Sequence, residues 1–308
     1  MRHPAAEGAP VSAPVRQTRP AAVTLDQLLD LLALQRQPGA PDADHFLGRP
    51  QRHPADRVFG GLQLAQAVAA AGRTVPGGHR ALSLQADFLA GVPTNEPLHW
   101  RVERLTDSAS MSTRRSTLLA QDGTERFTAL SRWGTTREDL PVHHPARPLP
   151  APPPEELPEL ADRFGDDERV PAWWRTERPV SFRHAAVPPY LEVVEPPQDH
   201  QTAWLRTTGE LPDDEVVRAA VVAYVTDMSI LEGAFRALGS RRHAPGSRIL
   251  SLTHTLTWHR HPDFSAWHQF DSRIQAVAHG RTLGTGEIFD REGRHVVSAS
   301  QLGLVRLA

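Results

Sequence analysis

Apolar residues along the chain change their spacing in a fixed order, and that order occurs twice. Leu25, Leu28, Leu29 and Leu32 recur at helical spacing behind Thr24, with Gln27 three residues on as in a capping box, and Pro38-Gly39 closes the segment. A second helix is predicted from Gly60-Gly61 through Leu64, Ala65, Val68 and Ala69 to Gly72, its glycines and small side chains implying close packing against a sheet. From Arg80 to Thr135 the period falls to two, with Leu82, Leu84, Ala86 and Phe88, then Trp100 and Val102, then Leu118 and Phe127. These are strands, and Asp122-Gly123 marks a hairpin turn between two of them.

A Pro-rich connector follows over residues 138–179, with Pro152-Pro153-Pro154 at its centre and a short helical piece near 155–164. The pattern then restarts. Strand-like residues around Ala203-Trp204-Leu205-Arg206 precede a helix predicted from about Asp213 through Val216, Val217, Ala220, Tyr224, Ile230 and Phe235. Alternating strands are predicted at 248–258, 270–277, 286–289 and 296–304. Residues 1–22 carry too few apolar side chains to offset their ordering entropy and are expected to be a disordered tail.

The two passages also match residue by residue. Arg80-Ala81-Leu82-Ser83-Leu84 resembles Arg248-Ile249-Leu250-Ser251-Leu252 at an offset of 251 − 83 = 168. Asp122-Gly123 matches Glu292-Gly293 at 292 − 122 = 170, and Ser131-Arg132-Trp133-Gly134 matches Ser300-Gln301-Leu302-Gly303 at 300 − 131 = 169. Three matches in order imply an internal duplication of a helix followed by an antiparallel sheet, divided as 23–137, connector 138–179, and 180–308. A helix-then-sheet unit used twice resembles a double hotdog, an α+β fold in which each curled antiparallel sheet wraps one central helix.

Composition removes several chemistries. The chain has no Cys, and all 34 of its basic residues are Arg. Disulfides, thiolate nucleophiles, Cys-ligated zinc and Schiff-base lysines are therefore excluded. A formal charge of −2 gives no reason to expect nucleic acid as a partner. No apolar run approaches the roughly 18 residues needed to span a bilayer, and Met1 to Ala22 lacks the pattern of a signal peptide. A soluble, cytoplasmic protein without membrane insertion is the expectation.

Specific segments sharpen this. Val58-Phe59-Gly60-Gly61, Leu211-Pro212-Asp213-Asp214, Tyr224-Val225-Thr226-Asp227, Ser251-Leu252-Thr253-His254, Trp258-His259-Arg260, Gly286-Glu287 and Ala299-Ser300-Gln301-Leu302-Gly303-Leu304-Val305-Arg306 stand in a set order. In that order and spacing the chain resembles the acyl-CoA thioesterase II family over about residues 24–307. The resemblance implies a catalytic trio of an Asp in the second helix, a Thr or Ser on the next strand, and a Gln on the last strand. Mapped singly, these fall on Asp227, Ser251 and Gln301.

Under the sequence offsets Asp227 pairs with Gly60, Ser251 with Ser83 and Gln301 with Arg132, so the first half lacks both carboxylate and amide. One working site, in the C-terminal half, is expected. Thioester hydrolysis needs a held water, a base for its proton and donors for the developing oxyanion. Asp227 is assigned to activating the water and Ser251 and Gln301 to orienting it; no Gly-x-Ser-x-Gly elbow supports Ser251 as a nucleophile.

Phe59, Gly60 and Gly61 are expected to shape the acyl channel, and His254 and Arg281 to contact substrate. No metal site is predicted, because His254, His259, His261 and His268 have no carboxylate cluster to complete one. No cofactor is implied, the substrate is an acyl-CoA or acyl-carrier thioester, and the fold implies a homo-oligomer. Departures from the family pattern at Thr253, Ala90 and Thr285 leave open an enzyme acting on a carrier-bound chain as dehydratase, isomerase or cyclase. A non-catalytic acyl-CoA-binding protein also stays open.

Overall fold

Two helices with little polar surface lie side by side at the centre of the protein, and everything else wraps them. The computed structural model describes residues 23–39, 42–51, 56–137, 139–171, 174 and 178–307; the expected tail 1–22 lies outside these. Helix α1 (Leu25–Leu32) has the capping box read from Thr24 and Gln27, and buries Leu25, Leu28 and Leu32. Strands β1 (Gln35–Gln37) and β2 (Asp44–Gly48) precede α2 (Gly60–Gly72). Then come β3 (Arg80–Phe88), β4 (Leu98–Asp107), β5 (Met111–Leu119) and β6 (Glu125–Gly134).

Described elements of the connector include a 3₁₀ turn (Pro154–Glu156) and the short helix α3 (Leu160–Phe164). In the second half β7 (Val180–His184) and β8 (His200–Thr207) lead to α4 (Glu215–Thr226) and α5 (Gly233–Ala237). Strands β9 (Arg248–Trp258), β10 (His268–Ala278), β11 (Arg281–Asp290) and β12 (His295–Arg306) complete the chain.

The strands form one 12-stranded sheet in the order β1-β2-β4-β5-β6-β3-β9-β12-β11-β10-β8-β7. Every pairing is antiparallel, and β3 joins β9 at the seam between the halves. The order reads the same from either end once β3 is exchanged for β9 and β6 for β12, which makes the architecture a double hotdog with a pseudo-twofold axis at the seam.

The ladders fix the repeat more sharply than the sequence did. Ala81 pairs Trp133 and Ser83 pairs Arg132, with Leu82 bulged between them; Ser251 pairs Gly303 and Thr253 pairs Leu302, with Leu252 bulged. The offset is therefore 251 − 81 = 170. The β4–β5 bulge at Leu105 and the β10–β11 bulge at Gln275 agree, since 275 − 105 = 170. Bulges break a ladder at one point and so record register unambiguously.

This corrects the repeat assignments: Ser251 corresponds to Ala81 rather than Ser83, and Gln301 to Ser131 rather than Arg132. The local sequence match at 168 misled because a slip of two residues preserves which side chains face inward. The single-residue slip at Gln301 rested on a short match between segments rich in Ser and Gly.

Helices α2 and α4 run antiparallel. All of α2 from Gly61 to Gly72 is buried, and α4 is buried from Ala219 to Thr226. A helix apolar on every side belongs inside a protein, and here one face meets the partner helix while the rest meets the sheet. The two inward polar residues of α2 are bonded. Gln66 Nε2 donates to Leu31 O and Arg49 O, and its Oε1 accepts from Trp100 Nε1 at 2.9 Å. Gln63 donates to Val58 O at 3.2 Å.

Glycine sets how closely the helices approach. A Cβ at Gly61 would lie 2.5 Å from the Tyr224 carbonyl oxygen of α4, and one at Gly72 would lie 2.5 Å from Val216 Cγ1. The close approach read from these glycines is thus helix against helix as much as helix against sheet. The α4 helix also ends earlier than expected, at Thr226, with a turn before α5. Met228, Ile230 and Leu231 in that turn are buried, so apolar spacing persists after the helix has stopped.

Gly61→Ala is expected to lose about 1–3 kcal/mol of stability, because the methyl meets backbone that cannot rotate away. Gly77→Ala, with nothing within 4 Å of its Cβ position, is the control and is expected to change stability little. Urea denaturation of both variants checks this; equal midpoints would remove the close-approach argument.

Candidate active site

The turn that ends α4 places a carboxylate opposite the beginning of α2. Asp227 is the C-cap residue of α4, and Tyr224, one turn earlier, packs its ring edge-on against Phe59 with centroids 5.2 Å apart. Gly60 directly faces the carboxylate: a Cβ there would stand 2.6 Å from Asp227 Oδ2 and 3.1 Å from Phe88 Cε1. Gly60 is therefore not the repeat counterpart of Asp227, as the sequence offset implied, but its neighbour across the helix pair. At the helix ends the counterpart is Arg73, the C-cap of α2.

Strands β9 and β12 bring up the other two predicted groups. Ser251 Oγ donates to Asp227 Oδ1 at 3.0 Å. Gln301 Nε2 makes a short hydrogen bond to the same oxygen and donates to Ser251 Oγ at 2.7 Å. The Gly61 backbone N–H, in the first turn of α2, also bonds the carboxylate. First-turn N–H groups have no intrahelical partner and lie at the positive end of the helix dipole, so they favour a negative group there.

Burial works against that charge. Desolvation raises the Asp227 carboxyl to about 6, opposed by the bonds from Gln301, Ser251 and Gly61. Gln301 is buried, while Asp227 and Ser251 keep some accessible surface. The carboxylate is desolvated in a residue that keeps some surface, and its pKa suits it to accepting a proton near neutrality.

The opposite end of the helix pair shows what the pseudo-symmetric position has become. There Arg73 of α2 forms an ion pair with Asp214, the N-cap of α4, at 2.8 Å, and Arg80 pairs with Glu215 at 3.3 Å. The strand counterparts are Ala81 for Ser251 and Ser131 for Gln301, and Ser131 Oγ accepts from Trp133 Nε1 at 2.9 Å. No member of the trio survives at that end.

Of the other predicted residues, Gly60 and Gly61 meet the carboxylate, and Phe59 packs against Tyr224 beside them. His254 has no exposed surface; it lies behind Gln301, its direct ladder partner, rather than against accessible space. Arg281 stands exposed at the start of β11 and makes no contact with the trio. His259 packs against His144 and His295. Among the described residues no group of three or more His, Asp or Glu side chains is placed to hold a metal, and no helix is long and apolar enough to cross a membrane. Sequence reasoning missed the Gly61 N–H and Thr226. Thr226 was visible only as a neighbour of Asp227.

A double hotdog with a carboxylate, hydroxyl and amide bonded together at one end of its helix pair defines the class: a hotdog-fold acyl-thioester enzyme. Comparison with known proteins agrees. Residues 150–305 match the acyl-CoA thioesterase C-terminal domain and residues 49–134 the acyl-CoA thioesterase N-terminal domain. The chain belongs to the acyl-CoA thioesterase II family.

It is 25% identical over 303 residues to acyl-CoA thioesterase 2 of Haemophilus influenzae, covering 92% of this chain and 98% of that one. It is likewise 25% identical over 281 residues to human acyl-coenzyme A thioesterase 8, covering 86% of each. Among solved structures, a tesB protein of Mycobacterium avium subspecies paratuberculosis superposes with a TM-score of 0.73 at 26% identity, covering 92% of this chain and all of that one. An acyl-CoA thioesterase II, TesB2, from Mycobacterium marinum gives 0.72 at 24%, covering 91% and 97%.

The raised Asp227 pKa has a consequence for stability. Its folded value lies above the unfolded one, so the folded state binds the extra proton, and stability falls as pH rises from about 4 to about 6. Above that window the ionised carboxylate is a net cost. Asp227→Asn is therefore expected to be more stable than the wild type at pH 8, by about 3 kcal/mol for a carboxyl raised to about 6, and to lose that advantage below pH 4. Thermal melting against pH measures this; an advantage that does not depend on pH would contradict it.

Proposed function

We propose that this protein hydrolyses acyl-CoA thioesters to a free acid and a thiol, with Asp227 as the base that activates water. The observation that carries the reading is the Asp227 carboxylate itself: held on one oxygen by Ser251 and Gln301, and faced by Gly60, which has no side chain to fill the space beside Oδ2. Water bound there loses a proton to Asp227 as its oxygen attacks the carbonyl carbon. The thioester C=O becomes an oxyanion, and collapse of the tetrahedral intermediate breaks the C–S bond. The proton held by Asp227 then goes to the departing thiolate.

Ser251 and Gln301 keep the carboxylate in one orientation so that little reorganisation accompanies attack. The first turn of α2 lies beside the carboxylate, and on this reading its N–H groups not engaged by Asp227 supply the oxyanion site. Residues 180–308 thus carry the reacting groups, and residues 23–137 contribute the α2 N-terminus. We further propose that the chain forms a homo-oligomer, which light scattering tests directly.

Thiol release from a panel of acyl-CoA chain lengths, run on wild type and Asp227→Asn together, tests the function. The wild type is expected to release thiol, and the variant to lose about 10³-fold in kcat. Wild-type-like turnover by Asp227→Asn would sink the assignment of the base. Tight acyl-CoA binding without thiol release would indicate a binding protein instead. Because the base must be ionised, kcat/KM is expected to rise with pH, passing half its plateau near pH 6.

Gly60→Ala is expected to lose roughly 10- to 100-fold in kcat with the fold retained, since its methyl enters the space beside Oδ2. Full activity in that variant would show that the reacting water lies elsewhere.

A further inference from the structure

Behind Gln301 lies a buried histidine that neither the hydrolytic chemistry nor the surface uses. His254 has no exposed surface, and its Nε2 lies 3.1 Å from Thr226 Oγ1, the residue next to Asp227. On its other side it meets the Gln301 side chain, the residue directly opposite in the β9–β12 ladder. The Gln301 carbonyl Oε1 and His254 Nδ1 are both buried, and neither makes a hydrogen bond of ordinary geometry, to the other or to any other described residue. Burial holds the ring neutral, with a pKa brought down to about 4.

A neutral imidazole has one N–H and one bare nitrogen, and the surroundings decide which is which. Suppose Nε2 carried the proton and donated to Thr226. Nδ1 would then turn a lone pair toward the Gln301 oxygen, leaving two buried acceptors opposed. Rotating the Gln301 amide to relieve this would put its carbonyl against the Asp227 carboxylate and withdraw the donor from Ser251. Each arrangement leaves buried groups unpaired, at about 1–3 kcal/mol apiece.

With the proton on Nδ1 the neighbouring donors and acceptors are complementary. Thr226 Oγ–H donates to Nε2, although its hydroxyl also lies 3.2 Å from Ala223 O. Nδ1–H then faces Gln301 Oε1 as donor to acceptor, while Gln301 Nε2 donates to Asp227 and Ser251. All the donors then point one way, toward the carboxylate.

We propose that His254 is a positioning residue, whose Nδ1–H fixes the Gln301 amide in the one orientation that donates to Asp227 and Ser251. The inactive end of the helix pair supports this independently. At the 170-residue ladder offset the counterpart of His254 is Leu84, which is buried and pairs Ser131 as His254 pairs Gln301. At the C-caps, Gly72 and Arg73 stand where Thr226 and Asp227 do. The histidine is present where the amide and carboxylate are, and absent where they are absent. Leu84 also shows that leucine fills this place in the fold.

The inference rests on Asp227 being the base, so its test keeps the two apart. Tyr224 is the other titratable side chain whose ionisation couples to Asp227, and burial pushes it up to about 12, outside the pH range used. His254→Leu is expected to fold, to lose roughly 10- to 100-fold in kcat, and to shift the acid limb of kcat/KM upward by about half a unit or more. That shift follows because the Gln301 bond which lowers the Asp227 pKa is no longer held. His254→Asn, whose side-chain N–H can stand near the place of Nδ1–H, is expected to recover most of the loss and return the limb.

Nitrogen NMR of the wild type is expected to show His254 as the neutral Nδ1–H tautomer down to about pH 5. A His254→Leu variant whose activity drops with the acid limb unmoved would overturn the proposal as a packing effect. An Nε2–H tautomer would overturn it directly, whatever the activity. Retained turnover in Asp227→Asn would instead count against the proposed base, while the tautomer reading would stand.

Discussion

The close antiparallel approach of α2 and α4 is the constraint on which the rest depends. Two helices can lie this near only where side chains vanish at the crossing points, and Gly61 and Gly72 provide that at either end. The approach brings the start of each helix beside the end of the other, so partial positive and negative charges meet twice. At one end the meeting is completed by an ion pair, Arg73 with Asp214. At the other it is completed by a carboxylate against a bare first turn, Asp227 against Gly60 and Gly61. The two ends solve the same electrostatic problem, and only the second leaves room for a third party.

That room carries an energetic cost which the surroundings limit. A carboxylate withdrawn from water tends to neutralise itself, and three donors hold Asp227 short of doing so fully. Too few donors would leave it protonated and unable to act as a base. Too many would bind the negative charge so firmly that it no longer accepted a proton. A pKa near 6 lies between those limits, and it reflects the number and direction of the bonds from β9, β12 and α2.

Much of this was legible in the sequence, for physical reasons that can be named. The α1 capping box, the limits of α2 and the long strands could be read because they rest on local chemistry and sustained periodicity. β2 escaped notice since it is only five residues long, Asp44–Gly48, and begins with the polar pair Asp44-His45. The end of α4 was hidden because Met228, Ile230 and Leu231 go on burying apolar surface after the helix stops. The trio was found through family resemblance, but its setting was not. That Gly60 faces Asp227 depends on a helix crossing between residues 167 apart, which no pattern of periods encodes. Ser251 seemed matched in the first half only because a two-residue slip leaves facing unchanged; the bulge at Leu252 removes that match.

The seam between β3 and β9 has a last implication, for how such a site can change over time. In an assembly of identical subunits each substitution appears at every symmetry-related site, so no position can be acidic in one and basic in another. Joining both halves in one chain lifts that rule, and here it has let Arg73 and Asp227 occupy corresponding helix ends. The covalent link does for specialisation what symmetry forbids: one end of the helix pair is free to become a fastening while the other stays open.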